Sequence, residues 1–114
     1  MNITGKWSYK EDFELGKSIG EVVLQHVDSK VTGTFNLTEE VENDYKIEVK
    51  EKAQGVIVNG KVLLESIEVK AMQSNKEIHY LPNCFDVFLI SENKLVGSTY
   101  DSEDVCGVFV MERM

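Results

Sequence analysis

Apolar and polar residues alternate with period two along almost the whole chain, and no segment has the period of an amphipathic helix. The alternation predicts strands at residues 3–11, 19–27, 30–38, 45–58, 61–72, 83–91, 94–100 and 104–113. Asn59-Gly60 is the strongest hairpin signal, because a type I′ turn needs positive φ at both central residues. Two connections are longer, at residues 11–18 and 73–82, and the first has room for a short helical turn.

The short connections indicate an up-and-down antiparallel meander, in which strands that follow one another in sequence are neighbours in the sheet. A meander of this size removes its two exposed edges by closing on itself. The sequence therefore predicts an all-β protein in which residues 1–114 form a single domain, a closed eight-stranded barrel.

The alternation also assigns one face of each strand to the barrel interior. The expected interior residues of the second, third and last strands are Gly20, Val22, Leu24 and His26; Val31, Gly33, Phe35 and Leu37; and Val105, Gly107, Phe109, Met111 and Arg113. Two arrangements remain open for the sixth and seventh strands. In one, Phe85, Val87 and Leu89 face Val96, Ser98 and Tyr100 inside the barrel, and in the other the opposite faces point inward.

The fourth and fifth strands keep their apolar residues in register only if one strand contains an extra residue. A β-bulge at Gln54-Gly55 supplies it, since glycine suits a bulge. With this bulge the interior residues of the two strands are Tyr45, Ile47, Val49, Glu51, Ala53 and Val56, facing Leu63, Glu65, Ile67, Val69 and Ala71.

The single tryptophan and the single arginine of the chain, Trp7 and Arg113, stand on the first and last predicted strands. Closure of a barrel places these strands side by side. A guanidinium on an indole face is attracted by about 0.5–2 kcal/mol, and its fork of donors can satisfy backbone carbonyls at a barrel end. We therefore expect Trp7 and Arg113 to be in contact.

Several short motifs resemble the calycin superfamily of lipocalin-like and avidin-like barrels. They are Gly5-Lys6-Trp7, the run from Gly20 to His26, Val31-Thr32-Gly33-Thr34-Phe35 and the terminal Arg113. The resemblance implies structural roles for Gly5, Trp7 and Arg113 at a closed barrel end, and a small, often apolar ligand at the open end. It does not extend to biotin, because an avidin-like site needs several tryptophans and this chain has one.

The composition is that of a soluble globular protein with a net charge of −8. This acidity argues against nucleic acid and against anionic membrane surfaces as partners. No stretch approaches the ~20 apolar residues that span a bilayer. The first predicted strand begins close to Met1, which leaves no room for a signal peptide. We expect a cytoplasmic protein, or the mature form of an exported one.

The two cysteines, Cys84 and Cys106, begin strands that are separated by one other strand. Second-neighbour strands lie about 9.5 Å apart, whereas a disulfide needs Cα atoms within about 7 Å of each other. We therefore expect free thiols, which favours a reducing compartment.

Catalytic and metal motifs are missing from the sequence. The two histidines and two cysteines do not have metal-ligand spacing, and no glycine-rich phosphate loop precedes a helix. Cys84 lacks a convincing histidine partner, although His79 lies in the preceding loop. The sequence therefore predicts no metal, no cofactor and no catalytic residue, and it favours a binding protein over an enzyme. An isomerase or cyclase that uses the carboxyls of Glu51 and Glu65 is the enzymatic alternative.

The leading hypothesis is a barrel that binds an unknown small molecule in its open mouth. The predicted ligand-binding residues are His26, Phe35, Tyr45, Val49, Glu51 and Glu65. The inward carboxyls of Glu51 and Glu65 favour ligands that are cations or hydrogen-bond donors.

The alternative is a protein-interaction module with a filled core. Such a module would act through acidic loops at residues 39–44 and 101–104, or through an apolar seam. That seam would comprise the outward residues Val108 and Val110 of the last strand with Ile19 and Val23 of the second. Monomer and dimer both remain open.

Overall fold

In the computed structural model, which describes residues 1–114, the chain forms nine β-strands and no helix. The chain therefore has no helix with the length and apolar character needed to span a membrane. The strands are β1 (Gly5–Phe13), β2 (Gly16–Val27), β3 (Lys30–Val41), β4 (Tyr45–Val58), β5 (Lys61–Gln73), β6 (Lys76–Ile78), β7 (Cys84–Ser91), β8 (Lys94–Tyr100) and β9 (Cys106–Arg113).

The eight long strands form one closed antiparallel barrel, which confirms the predicted fold class. Their order is β4-β3-β2-β1-β9-β8-β7-β5, and pairing of β4 with β5 closes the circle. The short β6 is an addition that pairs with the end of β5. The predicted connection at residues 11–18 is wrong, because β1 and β2 continue until Phe13 pairs with Gly16 and leave only a two-residue turn.

One end of the barrel is closed by the chain termini. Trp7 pairs with Arg113, whose guanidinium carbon lies 4.4 Å from the centre of the indole ring. The same guanidinium donates hydrogen bonds to the carbonyls of Thr4, Asn2 and Glu92 at 2.8, 3.1 and 2.9 Å. The contact expected from the sequence is present. Gly5 has a φ of 143°, and a Cβ there would lie 3.0 Å from Nη1 of Arg113, so only glycine fits without strain.

The centre of the barrel is filled by four aromatic rings, those of Tyr9, Phe35, Phe85 and Phe109. Phe35 stacks on Phe85 with ring centres 4.1 Å apart, and Tyr9 stacks on Phe109 at 5.3 Å. All four side chains are buried. The centre is therefore a packed core, and room for a ligand exists only beyond it.

The bulge between β4 and β5 lies on the other strand from the one predicted. Ala53 pairs with Ser66 but Lys52 pairs with Glu68, so the extra residue is Ile67 on β5. The tight Asn59-Gly60 turn is as predicted, with φ of 54° and 75°. From this turn to the bulge the interior face is therefore the opposite of the predicted one.

The predicted inward positions of Val56, Leu63, Glu65 and Ile67 are consequently wrong. Val56, Leu63 and Ile67 are 53%, 39% and 58% exposed, and Glu65 is exposed as well. The residues that point inward on this stretch are Ile57, Val62, Leu64 and Ser66. On the other side of the bulge, from Ala53 to Tyr45 on β4 and from Val69 to Ala71 on β5, the predicted inward residues are correct.

The arrangement of β7 and β8 combines the two that the sequence left open. On β7, Phe85, Val87 and Leu89 point inward, as in the first arrangement. The residues of β8 that pair with them are Thr99, Gly97 and Leu95, which belong to the face that points inward in the second arrangement. A register irregularity between Leu89 and Ser91 makes this combination possible, because it shifts the pairing by one residue. Val105 is 48% exposed because it lies before β9 rather than in it.

The predicted apolar seam is not continuous. On the outer face Val110 pairs with Lys10, which in turn pairs with Ile19, so a lysine separates the valines of β9 from the apolar residues of β2. Apolar residues instead continue in the opposite direction, from Val110 to Val96 and Phe88.

The two cysteines occupy the second-neighbour strands that were predicted. Cys84 and Cys106 each pair with Tyr100 from opposite sides, and both are free thiols.

Candidate functional site

A cavity of about 360 Å³ opens at the barrel end opposite Trp7 and Arg113. Its walls come from the ends of β1, β3, β4, β8 and β9. Residues 79–83, which we call the mouth strap, run from β6 to β7 along one side of the opening. Two glutamates, Glu11 of β1 and Glu39 of β3, are the acidic wall residues of this cavity.

Glu11 is held by two hydroxyl groups. The hydroxyl of Tyr9 donates to its Oε1 at 2.6 Å, and the hydroxyl of Thr99 donates to its Oε2 at 2.9 Å. The carboxyl lies over Gly107 of β9, where any Cβ would collide with Glu11 Oε2. The glycine therefore makes room for Glu11 to reach across β9 to Thr99 on β8.

Glu39 has a separate pair of hydroxyl donors. Tyr45 donates to Oε2 at 3.0 Å, and Tyr80 of the mouth strap donates to Oε1 at 2.7 Å. Only 9% of Glu39 is exposed. Burial and the charge of Glu39 raise the pKa of Tyr45 to about 12, and the same two causes raise the pKa of Tyr80. Both phenols are therefore protonated donors at neutral pH.

A third carboxyl, that of Glu51 on β4, is hydrogen-bonded to the mouth strap. The backbone N–H and the side-chain amide of Asn83 donate to its two oxygens at 2.8 and 3.2 Å. Glu51 is 1% exposed and does not line the cavity, whereas Asn83 does. Its role is to anchor the end of the strap against the barrel.

The carboxyls of the mouth have no cationic partner. The cavity lining contains no lysine or arginine, and the three ion pairs of the protein join Lys6 to Glu21, Lys52 to Glu68 and Lys61 to Asp86 elsewhere. The loop between β8 and β9 adds Asp101 and Glu103 to the rim. Acidic groups focused on one concave opening attract cations.

Burial raises the pKa of Glu11, and the neighbouring charge of Glu39 raises it further, although the hydrogen bonds from Tyr9 and Thr99 oppose the shift. Burial likewise raises the pKa of Glu51, with Asn83 opposing and the charge of Glu11 adding to the shift. The carboxyls of the barrel interior therefore repel one another, and any cation placed among them would stabilise their ionised forms.

The six predicted ligand-binding residues do not form one site. Tyr45 lines the cavity, Glu51 lies behind the mouth strap, and Val49 is buried in a small cluster with Ile47 and Ala71. Phe35 belongs to the aromatic centre. His26 lies at the closed end, where the backbone N–H of Ile3 donates to its Nδ1 at 3.3 Å. Glu65 is outside the barrel.

The two glutamates of the cavity were missed, although the alternation contained the signal for both. Glu11 continues the inward series of Trp7 and Tyr9, and Glu39 continues that of Phe35 and Leu37. The predicted strands ended at residues 11 and 38, while β1 and β3 continue to Phe13 and Val41. Part of the predicted acidic loop at residues 39–44 is therefore strand.

The raised pKa values of Glu11 and Glu51 predict how stability depends on pH. A raised pKa means that the folded protein binds the proton more tightly than the unfolded chain does. This stabilisation is complete below the ordinary glutamate pKa of about 4.3, and it is lost as the pH rises through the raised value. We therefore expect the free energy of unfolding to fall from mildly acidic to neutral pH.

Urea unfolding at a series of pH values tests this expectation in wild type and Glu11→Gln. The variant should show a smaller fall, because it lacks one of the groups with a raised pKa. The titratable groups that would remain, either as neighbours of Glu11 or in the lining of the cavity, are Glu39, Glu51, Tyr9, Tyr80, His79, Asp12, Asp101 and Glu103. Glu40→Gln removes an exposed carboxyl from the next position of β3 and should keep the wild-type profile. A Glu11→Gln profile parallel to that of wild type would contradict the assignment.

Comparison with solved structures finds designed barrels of the same architecture. A redesigned β-barrel, mFAP1, described as bound to DFHBI, has a TM-score of 0.67 and 12% identity, covering 97% of this chain and 94% of that one. The redesigned barrel mFAP0, also bound to DFHBI, gives 0.66 and 10%, with coverage of 97% and 98%. A fluorescence-activating β-barrel designed de novo gives 0.59 and 10%, with coverage of 97% and 93%.

No protein-family model matches the sequence, and no curated protein matches it either. At these identities the likeness to the designed barrels is one of fold. It agrees with the closed eight-stranded topology seen here.

Proposed function

We propose that this protein is a small-ligand-binding barrel whose mouth takes a ligand with a protonated amine or guanidine group. One observation carries the proposal. The carboxyls of Glu11 and Glu39 reach a concave cavity, where they are held by hydroxyl donors and have no cationic partner.

The physical reason is the cost of burying negative charge. A carboxylate removed from water destabilises the protein unless it is paired or hydrogen-bonded. An ionised carboxylate offers about four lone-pair sites, and each oxygen of Glu11 and Glu39 accepts one hydrogen bond. Both groups therefore keep capacity for a further donor. An ammonium would supply a charge-assisted hydrogen bond, which is stronger than one from a neutral donor.

The rest of the cavity suits an apolar ligand body. Phe13, Leu15 and Leu81 contribute apolar surface to its walls. A fatty acid would fit these walls but would place its carboxylate beside Glu11, Glu39 and the acidic rim. We therefore propose an aliphatic or aromatic amine rather than an acid. The sequence analysis also expected a preference for cations, but from Glu51 and Glu65, which do not line this cavity.

The fold supports a non-enzymatic binding role in general terms. Two designed barrels of this architecture are described as bound to the small molecule DFHBI. The motifs Gly5-Lys6-Trp7 and Arg113, which meet at the closed end, support membership of the calycin superfamily, and we propose that membership on their basis. The free thiols of Cys84 and Cys106 support the proposal of a reducing compartment such as the cytoplasm.

A matched set of three ligands tests the proposed function. Hexylamine, hexanol and hexanoate each have six carbon atoms in an unbranched chain and differ in the polar group at one end, which is cationic, neutral and anionic respectively. Isothermal titration calorimetry at neutral pH should show binding of hexylamine, with hexanol much weaker and hexanoate undetectable. Equal binding of all three, or preference for hexanoate, would contradict the proposal. Native mass spectrometry of the purified protein would add the mass of any ligand that is retained from the cell.

The filled centre of the barrel favours a second candidate, the protein-interaction module. The acidic loop that carries Asp101 and Glu103 flanks the mouth and would attract a basic segment of a partner protein. This candidate predicts binding of a lysine-rich peptide without measurable binding of free hexylamine. The same calorimetry therefore separates the two functions.

A further inference from the structure

We propose that the mouth is a two-point site for a linear diamine, with one ammonium at Glu11 and the other at Glu39. This inference rests on the proposed function and specifies its ligand class. It follows from where the two carboxyls stand, which way they lean and what lies between them.

Glu11 and Glu39 stand in one row across three neighbouring strands. Glu11 of β1 pairs with Ser18 of β2, and Ser18 pairs with Glu39 of β3. Two strand spacings separate their Cα atoms, which is about 9.5 Å. The residue between them, Ser18, is small but is itself buried, and it does not line the cavity. Glu11 and Glu39, one on each side of Ser18 in the row, both line the cavity, so the row presents two separate anionic groups to one opening.

The two carboxyls lean away from each other. Glu11 crosses Gly107 of β9 to reach Thr99 on β8, on one side of β1. Glu39 is bonded to Tyr45 on β4 and to Tyr80 of the mouth strap, on the other side. In the order β4-β3-β2-β1-β9-β8 these partners lie towards opposite ends of the row. Separate donors thus hold the carboxyls as two distinct points.

This separation argues against a single chelated cation. No group of three or more histidine, cysteine, aspartate or glutamate side chains is arranged to hold a metal ion. The charge of Glu39 nevertheless raises the pKa of Glu11, so the two groups share one electrostatic environment. A ligand with one positive charge would neutralise one carboxyl and leave the other unpaired. A ligand with a positive charge at each end would neutralise both.

The surface near the row suits a methylene chain. Phe13 lies two residues from Glu11 on the same face of β1 and lines the cavity, as does Leu15 in the following turn. Apolar contact with these side chains would be lost if the ligand had polar groups along its length. The expected ligand is therefore an unbranched alkane with a primary amine at each end, small enough for a cavity of about 360 Å³.

Calorimetry with a series of diamines of increasing chain length tests the inference. The probes are diaminobutane, diaminopentane and diaminohexane with terminal amines, each compared with the monoamine of the same chain length. The best diamine should bind one to one and about tenfold or more tightly than its monoamine, the gain expected for one additional charged hydrogen bond. Glu11→Gln and Glu39→Gln should each reduce this diamine preference to about threefold or less, which is the residual expected from nonspecific attraction to an acidic rim.

The controls and outcomes separate this inference from the proposed function. Glu40→Gln changes the net charge equally from the outer face of β3 and should keep the full diamine preference. Circular dichroism of each variant confirms that it is folded. If monoamine and diamine bind wild type equally, or if either single variant keeps the preference, the two-point site is wrong while amine binding stands. If no amine binds wild type, the proposed function itself fails.

Discussion

Phe35→Ala should lower the free energy of unfolding by about 3–5 kcal/mol, the cost of removing a large buried aromatic side chain. Phe35 is fully buried, stacks on Phe85 at 4.1 Å and meets Tyr9 edge-on at 5.8 Å. Its removal would leave a cavity at the centre of the barrel, where neighbouring strands are fixed by hydrogen bonds on both sides and cannot collapse into the space. A domain of this size has a total stability of about 5–15 kcal/mol, so the loss should be a large fraction of the total.

Phe88→Ala is the matched control, because it removes the same side chain from the outside of the barrel. Phe88 is 41% exposed, and the Nζ of Lys61 lies 5.1 Å from its ring centre. An exposed contact of this type contributes about 0.5–1 kcal/mol, so the control should lose no more than about that. Urea unfolding of the two variants measures the difference. Equal losses would show that the aromatic rings do not form the core described here.

The double variant Glu11→Gln/Glu39→Gln should lose amine binding. With both carboxyls replaced by neutral amides, the mouth keeps its shape and its hydroxyl groups but lacks both anionic points. We expect the affinity for hexylamine to fall about tenfold or more and that for diaminohexane about 100-fold, because charged hydrogen bonds contribute about 1.5–3 kcal/mol each. Calorimetry at neutral pH measures both values.

Loss of binding in this double variant should not come from loss of the fold. Burial raises the pKa of Glu11, so its ionised form destabilises the barrel at neutral pH and its removal should not weaken it. Each amide can still accept from one hydroxyl and donate to the other, because a hydroxyl can act in either role. Glu65→Gln, on the outer face of β5, removes an exposed carboxyl that does not line the cavity and should bind amines like wild type. Unchanged binding in the double variant would place the amine elsewhere.

The architecture was predictable because it depends on local signals that repeat along the chain. The period-two alternation located all eight long strands, and the Asn59-Gly60 turn has the geometry predicted for it. Closure followed from the short connections. It also placed Trp7 against Arg113, two residues that are far apart in sequence.

The register of β4 and β5 was not predictable in the same way. A bulge at Gly55 and a bulge at Ile67 both bring the apolar residues of the two strands into register, and the alternation alone favours neither clearly. The structure selects the second, which buries Val62 and Leu64. One residue of register reverses the face of every side chain up to the bulge. That reversal is why Glu65 was expected inside the barrel and lies outside.

The residues around the mouth could not be predicted for a different reason. Glu11 and Glu39 lie two residues before the ends of β1 and β3, whereas the predicted strands stopped at residues 11 and 38. Tyr80 and Asn83 lie in the mouth strap, which has no period, and their partners Glu39 and Glu51 are 41 and 32 residues away in sequence. Only the closed barrel brings these groups to one opening. Of the carboxyls of Glu11, Glu39 and Glu51, only that of Glu51 was expected to point inward, and it does so.

A crystal structure of the protein with hexylamine tests the central claim most directly. We expect the amine nitrogen within about 2.7–3.2 Å of a carboxyl oxygen, the range of a charged hydrogen bond, at Glu11 or Glu39, with the alkyl chain against Phe13 and Leu15. The result that would contradict the claim is a mouth that stays empty at saturating hexylamine, or an alkyl chain in the cavity with its ammonium in solvent.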